Sequence, residues 1–348
     1  MRLQICVMLV LLLTSVSNPG YGQPNGTPEP TLRSFAAQQS FRVGVSVDMA
    51  ALETDHEYRT LIGQEFNLLT PENIMKFEEI HPQRDQYNFE PADALMAFAA
   101  EHNMAVHGHV LVWHQQLPEW LTKGNFDRDT LKSILREHIQ TVVGRYRGRI
   151  AIWDVASEVV GDDGNLLDTF WSRGIGPDYL ELAFTWAHEA DPAAQLLYNE
   201  YGAEGLGAKS DGVLQLVTSL RGKGVPVDGV GLQMHVTLDD APAPRDVAAN
   251  IRRLAKLGLD VHISEMDVAI QQPVTRSKLA KQARIYGDML QVCLEEILCR
   301  SFTVWGASDR YSWVPEHFPG FDAALLFDRQ FRPKPAYRAV LEVLRERH

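Results

Sequence analysis

Two glutamates have the residue type and the setting for chemistry on a sugar. Glu158 ends the segment WDVASE of residues 153–158, and Glu265 lies within VHISEMD of residues 261–267. Each follows a short apolar, β-branched run and precedes loop-like residues, which predicts a carboxylate at the C-terminal end of a strand. Two carboxylates that face each other across a sugar cleft are the working groups of most glycosidases. Either glutamate alone could be an ordinary strand-end charge, so the prediction depends on the pair and its surroundings.

The elements that position these glutamates alternate along the chain. Eight strand-like runs are Phe41–Val47, Phe66–Thr70, Met104–Val112, Ile150–Val155, Ala194–Asn199, Gly229–His235, Leu259–Glu265 and Ser301–Gly306. Amphipathic, helix-like stretches lie between them, among them Ala92–His102, Thr130–Tyr146, Pro177–Ala190, Lys209–Arg221, Arg245–Leu257 and Ser277–Glu296. This alternation predicts an α/β fold, a single (β/α)8 TIM barrel, with catalysis at the C-terminal rim. A doubly wound open sheet is the alternative, and the lack of a Gly-x-Gly-x-x-Gly turn after the first strand weakens it.

Polar groups suited to sugar hydroxyls follow the second and third runs. Glu72, Asn73 and Lys76 offer an acceptor, a mixed group and a donor. His107 and His109 stand at i, i+2 and therefore face one side of a strand. A zinc pair is one interpretation of these histidines, but no third ligand has an obvious place, so we expect no metal.

The later strand ends add to the same rim. The sixth run ends at Gln233 and His235, and the seventh places Glu265 and Asp267 at i, i+2 on one face. A histidine between two carboxylates could fix the orientation and charge of a nucleophile. Trp305 follows the eighth run. Tryptophan can be core filler, but exposed at a rim its flat face can stack on the C–H face of a pyranose.

The composition and the N-terminal sequence indicate which partners the protein can bind and in which compartment it functions. The chain has 348 residues and a formal charge of −12, which argues against nucleic acid or an anionic membrane as partner. A short basic start, an apolar run and small residues predict a signal peptide over residues 1–22, followed by a flexible leader over 23–36 and one catalytic domain over 37–348. We therefore expect a secreted monomer with no stable membrane association after the signal is cleaved. Cys293 and Cys299 could form a disulfide in an oxidising compartment or remain two free buried thiols.

Seven segments in order carry a resemblance to glycoside hydrolase family 10, the endo-β-1,4-xylanases. They are residues 65–76, 108–116, 153–158, 229–235, 263–267, 303–313 and 333–337. The resemblance implies a (β/α)8 barrel, a retaining mechanism, a xylan or xylooligosaccharide substrate and no cofactor. It implies Glu158 as acid/base, Glu265 as nucleophile assisted by His235 and Asp267, and a Cys293–Cys299 disulfide. The residues that it implies for substrate binding are Glu72, Asn73, Lys76, His109, Trp113, Gln116, Ser157, Gln233, Trp305 and Trp313.

The chain departs from the family pattern at several positions. Ser157 stands where the family usually has an Asn before the acid/base, and Phe77 replaces a usual Trp. Residues 199–202 read Asn-Glu-Tyr-Gly instead of Asn-Asp-Tyr-Asn, and Leu167 stands where an Arg is common. Ser157 touches the catalytic subsite in the family pattern and so bears on rate. The other departures are expected at or behind the cleft edge and bear on substrate affinity.

The two carboxylates predict double displacement. Glu265 attacks while ionised, Glu158 donates a proton, and their mutual repulsion keeps one proton on the pair. A retaining enzyme places these carboxyl groups roughly 5–5.5 Å apart. Other functions remain open: another retaining β-glycanase acting on β-glucan or aryl glycosides, a non-catalytic carbohydrate-binding barrel, or a structural secreted barrel.

Overall fold

Eight parallel strands form a closed barrel in the computed structural model, which describes residues 30–347. The barrel strands are β1 (Arg42–Val47), β2 (Leu68–Pro71), β3 (Ala105–Gly108), β4 (Ile152–Ser157), β5 (Gln195–Glu200), β6 (Gly229–Leu232), β8 (Asp260–Gln271) and β9 (Cys299–Val304). Neighbouring strands pair in that order, and β9 pairs with both β8 and β1 to close the ring. The predicted single (β/α)8 barrel is therefore confirmed, and the open-sheet alternative is excluded.

Helices cover the outside of the barrel and bury its apolar outer face. They are α1 (Leu32–Gln38), α2 (Met49–Thr54), α3 (His56–Glu65), α4 (Phe77–Ile80), α5 (Glu90–Glu101), α6 (Glu119–Thr122), α7 (Arg128–Arg145), α8 (Phe170–Ile175), α9 (Tyr179–Ala190), α10 (Ala208–Gly222), α11 (Pro244–Ala255), α12 (Arg276–Glu295), α13 (Val314–His317) and α14 (Pro335–Glu346). A short 3₁₀ helix spans Asp309–Tyr311. The six predicted helices correspond to α5, α7, α9, α10, α11 and α12, each within about two residues at its ends.

Three strands end more than two residues from their predicted ends. The third run ends at Gly108, and the sixth ends at Leu232 because Met234 adopts a left-handed φ of 68° that interrupts the extended chain. The chain then resumes as β7 (His235–Thr237), which pairs with β8 in parallel. Strand β8 runs past Glu265 to Gln271, where the antiparallel strand β10 (Phe321–Asp322) supports it. Glu265 therefore lies within a strand that is paired beyond the barrel rim.

The prediction of a flexible leader through residue 36 is wrong at its C-terminal end. Helix α1 begins at Leu32, and Thr31 caps it in a capping box with Ser34. Leu32 and Ala36 are fully buried, and the Leu32 amide donates to Glu65. The compact unit therefore runs from Thr31 rather than from residue 37. The burial of Leu32 and Ala36 and the hydrogen-bonded cap at Thr31 stabilise this helix, although the Pro- and Thr-rich residues before it favour a flexible segment.

Two further predictions concern the disulfide and the N-terminal segment. Cys293 and Cys299 form a disulfide between the end of α12 and the start of β9, so the paired alternative is confirmed. The predicted signal peptide lies outside the described residues, as does the leader up to residue 29. Within residues 30–347, none of the helices has the length and hydropathy required to cross a bilayer.

Candidate active site

Glu158 stands immediately after β4, at the C-terminal rim of the barrel. Its side chain is partly exposed, and both carboxylate oxygens accept hydrogen bonds. Trp113 Nε1 donates to Oε2 at 2.8 Å, and Gln233 Nε2 donates to Oε1 at 3.1 Å. Both donors are neutral. The carboxyl group is thus aimed by residues that follow β3 and β6, and within residues 30–347 no cation lies within ion-pair distance of it.

Glu265 is buried and receives hydrogen bonds from two sides. Asn199 Nδ2 lies 2.5 Å from Oε1, and His235 Nε2 lies 3.2 Å from Oε2. His109 Nδ1 lies 3.9 Å from Oε1. Burial alone would raise the pKa of Glu265, but the charge of His109 and the contact with His235 hold the pKa below its usual value. This environment keeps Glu265 ionised, as a nucleophile requires.

His235 joins Glu265 to Asp267, as the sequence predicts. Its Nδ1 lies 2.8 Å from Asp267 Oδ2, which also accepts a hydrogen bond of 2.7 Å from Trp313 Nε1. Burial opposes a charge on the imidazole, but Asp267 and then Glu265 outweigh it and raise the pKa of His235 to about 10. At neutral pH both ring nitrogens are therefore protonated and donate, one to each carboxylate.

His107 and His109 share a carboxylate instead of forming a zinc pair. His107 Nε2 lies 2.9 Å from Asp154 Oδ1, and His109 Nδ1 lies 2.9 Å from Asp154 Oδ2. His109, Asp154 and Glu265 bring three ligand-capable atoms within 4.8 Å of one another. Their hydrogen bonds account for these atoms without an ion. Although burial favours the neutral acid, the two histidines hold the pKa of Asp154 well below its usual range.

A chain of neutral polar side chains connects the two glutamates. Gln233 Nε2 and Asn199 Nδ2 each lie 3.4 Å from Ser157 Oγ, while Gln233 also reaches Glu158 and Asn199 also reaches Glu265. The Ser157 hydroxyl donates to the Asn199 carbonyl oxygen at 3.2 Å. Ser157 is 1% exposed. Its hydroxyl therefore faces the protein, between the two carboxylates, rather than the open cleft.

The packing behind Asn199 fixes the amide that contacts Glu265. Ser264 Oγ donates to Asn199 Oδ1 at 2.7 Å, which orients the amide nitrogen toward Glu265. Gly231 on β6 makes room for this arrangement, because a Cβ there would lie 2.2 Å from Asn199 Oδ1. Asn199 was not among the predicted site residues. The feature of the sequence that pointed to Asn199 was its position near the end of the fifth strand.

The residues after β2 surround one buried cation. Lys76 Nζ donates to Asn73 Oδ1 at 2.9 Å and lies 4.9 Å from the centroid of the Trp113 ring. Burial lowers the pKa of Lys76, although Glu265, Glu72 and Glu158 all oppose that shift. Burial and the charge of Asp48 raise the pKa of Glu72 to about 7. Lys76 thus lies near both candidate catalytic carboxylates, Glu72 lies near Glu265, and Asn73 is exposed.

Aromatic rings line the same region. Trp305 meets His109 edge to face at 5.2 Å and His235 at 6.0 Å between ring centroids. Trp313 meets His235 at 5.0 Å. Gln116 lies beyond Trp113 in a left-handed conformation, and its carbonyl oxygen accepts from the Glu78 amide. The structure records no hydrogen bond of the Gln116 side chain, so its contact with substrate stays a prediction.

Comparisons with known proteins agree with this geometry. The sequence profile described as Glycosyl hydrolase family 10 matches residues 31–343. The chain belongs to glycosyl hydrolase family 10. Endo-1,4-beta-xylanase B of Thermotoga neapolitana is 41% identical over 98% of this chain and 97% of its own. Native xylanase 10B from Thermotoga maritima superposes with a TM-score of 0.89 at 43% identity, covering 91% of this chain and 99% of that one. Xylanase 10B from Thermotoga petrophila RKU-1 in complex with xylobiose gives 0.90 at 43%, covering 93% and 99%.

Two departures from the family 10 pattern lie away from the glutamates. Phe77 is buried, and its ring stacks on that of His138 with centroids 3.8 Å apart. It therefore packs behind Lys76 and has no access to the cleft. Leu167 is exposed and follows the loop after Glu158. In residues 199–202 the departures are Glu200 and Gly202, whereas Asn199, which contacts Glu265, matches the family pattern.

Proposed function

We propose that this chain is a secreted endo-1,4-β-xylanase that cleaves internal β-1,4 bonds of xylan with retention of configuration. The observation that carries the proposal is the environment of Glu265. It is buried, hydrogen-bonded to Asn199 and to a protonated His235, and joined through Ser157 and Gln233 to the second glutamate, Glu158. A non-catalytic sugar-binding barrel has no need for a charged histidine paired with an ionised, buried carboxylate.

In the first step, the Glu265 carboxylate attacks the anomeric carbon and Glu158 gives its proton to the departing glycosidic oxygen. A covalent glycosyl-enzyme forms and the C–O bond to the leaving sugar breaks. His235 stabilises the attacking carboxylate before reaction, and Asp267 and Trp313 hold the imidazole in place. Trp113 and Gln233 keep the Glu158 carboxyl aimed across the cleft.

In the second step, Glu158 takes a proton from water while that water attacks the anomeric carbon. The bond to Glu265 breaks, its carboxylate is restored, and the sugar leaves with its original configuration. The surrounding side chains supply this chemistry without a cofactor. The Glu158 and Glu265 carboxyl groups are expected roughly 5–5.5 Å apart in a crystal structure, and a separation above ~6.5 Å would indicate inversion instead.

Product analysis tests the substrate. The purified protein should release xylooligosaccharides from glucuronoxylan and arabinoxylan and little from carboxymethyl cellulose. Proton NMR during early hydrolysis should show the β-anomer first. Glucose oligomers from cellulose with no products from xylan would assign the chain to another retaining β-glycanase, and early α-anomer would refute retention.

Two variants test the roles of the glutamates. E265A should abolish turnover of every substrate. E158A should spare glycosylation from an activated aryl xylobioside, whose leaving group needs no proton, and cripple hydrolysis of xylan. Equal losses on both kinds of substrate would show that Glu158 is not the acid/base.

Secretion has its own test. Residues 1–22 have the pattern of a signal peptide, and the disulfide between Cys293 and Cys299 suits an oxidising compartment. Expression in the source cells should yield a mature protein whose N-terminus lies near residue 23. Recovery of an intact N-terminus from the cell interior would refute secretion.

A further inference from the structure

Glu158 has an unusual backbone conformation for a residue with a side chain. Its φ is 58°, in the left-handed region, where a non-glycine residue lies only when its surroundings hold it. Its own amide donates to the Asn199 carbonyl oxygen at 3.0 Å, which fixes the chain before the turn. The chain after the turn needs a second support, because the direction of the Glu158 side chain depends on both sides.

Two buried side chains on β5 provide that second support. The Val159 amide donates to the Tyr198 hydroxyl oxygen at 3.1 Å, and the Val160 amide donates to Glu200 Oε2 at 3.1 Å. The Tyr198 hydroxyl in turn donates to Glu200 Oε2. Tyr198 and Glu200 are fully buried. The two amides that follow Glu158 are thus held by one linked pair of side chains.

The pair is itself anchored on its far side. Lys209 Nζ, on α10, lies 3.3 Å from Glu200 Oε1 and 3.5 Å from Asp162 Oδ1. It also lies over the Tyr201 ring, 3.3 Å from the centroid. The lysine balances the buried carboxylate and ties it to the loop after β4. In the part of the chain that the structure describes, the hydrogen bonds of Tyr198 and Glu200 lie on the Glu158 side of the cleft, and neither residue bonds the Glu265 carboxylate.

We propose that Tyr198 and Glu200 are positioning residues for the acid/base: by holding the Val159 and Val160 amides, they fix the left-handed turn that aims Glu158. The proposal rests on the proposed function, because it assumes that Glu158 transfers the proton. Without the hydrogen bonds to the Val159 and Val160 amides, the turn would relax toward an unstrained conformation. The carboxyl group of Glu158 would then move away from the glycosidic oxygen. A displacement of about 1 Å can cost roughly 100-fold in rate.

The test compares two substrates whose leaving groups differ in their need for a proton. Y198F removes the hydroxyl that accepts from Val159 and keeps the ring in place. Its kcat/KM on xylotetraose is expected to fall about 10- to 100-fold, at or below the lower end of the roughly 100- to 10,000-fold contribution of general acid catalysis. On 2,4-dinitrophenyl xylobioside, whose leaving group needs no proton, the loss is expected to stay below about 3-fold. E200A, which removes the acceptor for Val160, should show the same selective loss.

Y286F is the matched control. Tyr286 is also a fully buried tyrosine whose hydroxyl bonds a backbone oxygen, that of Ala324, and it has no contact with the turn at Glu158. The kcat/KM of Y286F should change by the same factor on xylotetraose and on 2,4-dinitrophenyl xylobioside. Melting temperatures of all variants establish that each is folded at the assay temperature.

Azide gives a second measurement. It needs no base to attack the glycosyl-enzyme: its nitrogen bonds to the anomeric carbon as the bond to Glu265 breaks. Azide should therefore increase kcat of Y198F on the aryl substrate and yield a glycosyl azide, and leave the wild type unchanged. Equal losses of Y198F on the two substrates, or no loss, would overturn the proposal. Failure of the wild type to cleave either substrate would instead refute the proposed function.

Discussion

Asp267 controls the charge of His235, and replacing it should make catalysis depend on pH in a new way. In D267N the side chain keeps its shape and loses its charge. The larger of the two attractions that raise the pKa of His235 to about 10 is then lost, and that of Glu265 remains. Because burial still disfavours the imidazolium, the pKa should fall toward the ordinary histidine value of about 6.5. A neutral His235 stabilises the ionised Glu265 less than the imidazolium does.

The size of the effect follows from the fraction of His235 that is protonated. With a pKa of about 6.5, roughly 97% of the imidazole carries its proton at pH 5 and about 3% at pH 8. In the wild type the group stays protonated over that whole range. The ratio of kcat/KM for D267N to that of the wild type should therefore fall by up to about 30-fold between pH 5 and pH 8, in addition to any loss that is independent of pH.

The assay is kcat/KM on an aryl xylobioside at half-unit intervals from pH 5 to pH 8. W313F is the matched control, because it removes the other hydrogen bond to Asp267 Oδ2 and leaves the carboxylate in place. Its ratio to the wild type should be below one and flat with pH. A flat ratio for D267N as well would refute the reasoning, since it would show that the charge of His235 does not support Glu265.

Three further predictions concern other parts of the molecule. S157N should lower kcat/KM on xylooligosaccharides by up to about 100-fold, because Ser157 is 1% exposed and a larger amide there would displace Asn199 or Gln233 from the two glutamates; a higher rate would contradict this and show that an amide at position 157 reaches the sugar. Burial lowers the pKa of His81 and His138, so both stay neutral when folded, and stability should be lost as pH falls below about 6.5, the pKa of unfolded histidine. H138F should reduce that loss by roughly 2 kcal/mol between pH 6.5 and 5 in urea titrations, and identical losses would contradict it. Reducing the disulfide of Cys293 and Cys299 should cost at most ~2–4 kcal/mol of stability and leave kcat unchanged, and mass spectrometry that finds two free thiols would refute the pairing.

The sequence predicts the barrel and the surroundings of Glu265 well, for a physical reason. Glu265 and Asp267 lie at i, i+2 on β8, and β7 pairs in register with that strand from Asp267 onward, although the pairing of β8 with β9 shifts register between Ile263 and Met266. Strand alternation therefore determines which side chains share a face. The contact of His235 with Glu265 is confirmed at 3.2 Å, and its contact with Asp267 at 2.8 Å. Local pattern and tertiary contact agree in this part of the chain.

The acid/base side could not be predicted in the same way, because β4 is irregular. The pairing of β4 with β5 shifts register between Asp154 and Ala156. Strict alternation would place Asp154 and Ser157 on opposite faces, yet both contact side chains of the site. A bulge of this kind turns a strand locally and depends on the neighbouring strand. The role of Asp154 follows from such pairing and leaves no pattern of its own in the sequence, whereas Asn199 is indicated only by its position near the end of β5.

The two glutamates are held by different means, and this difference predicts how variants should separate. Glu265 is held by charge, through His235 and Asp267, so changes there act on every substrate and vary with pH. Glu158 is held by geometry: its carboxyl group meets only neutral donors, and its backbone is fixed in a left-handed turn. Changes on that side should therefore act mainly on substrates whose leaving group needs a proton. A charge change that affected only unactivated substrates, or a backbone change that affected all substrates equally, would contradict this division of the site.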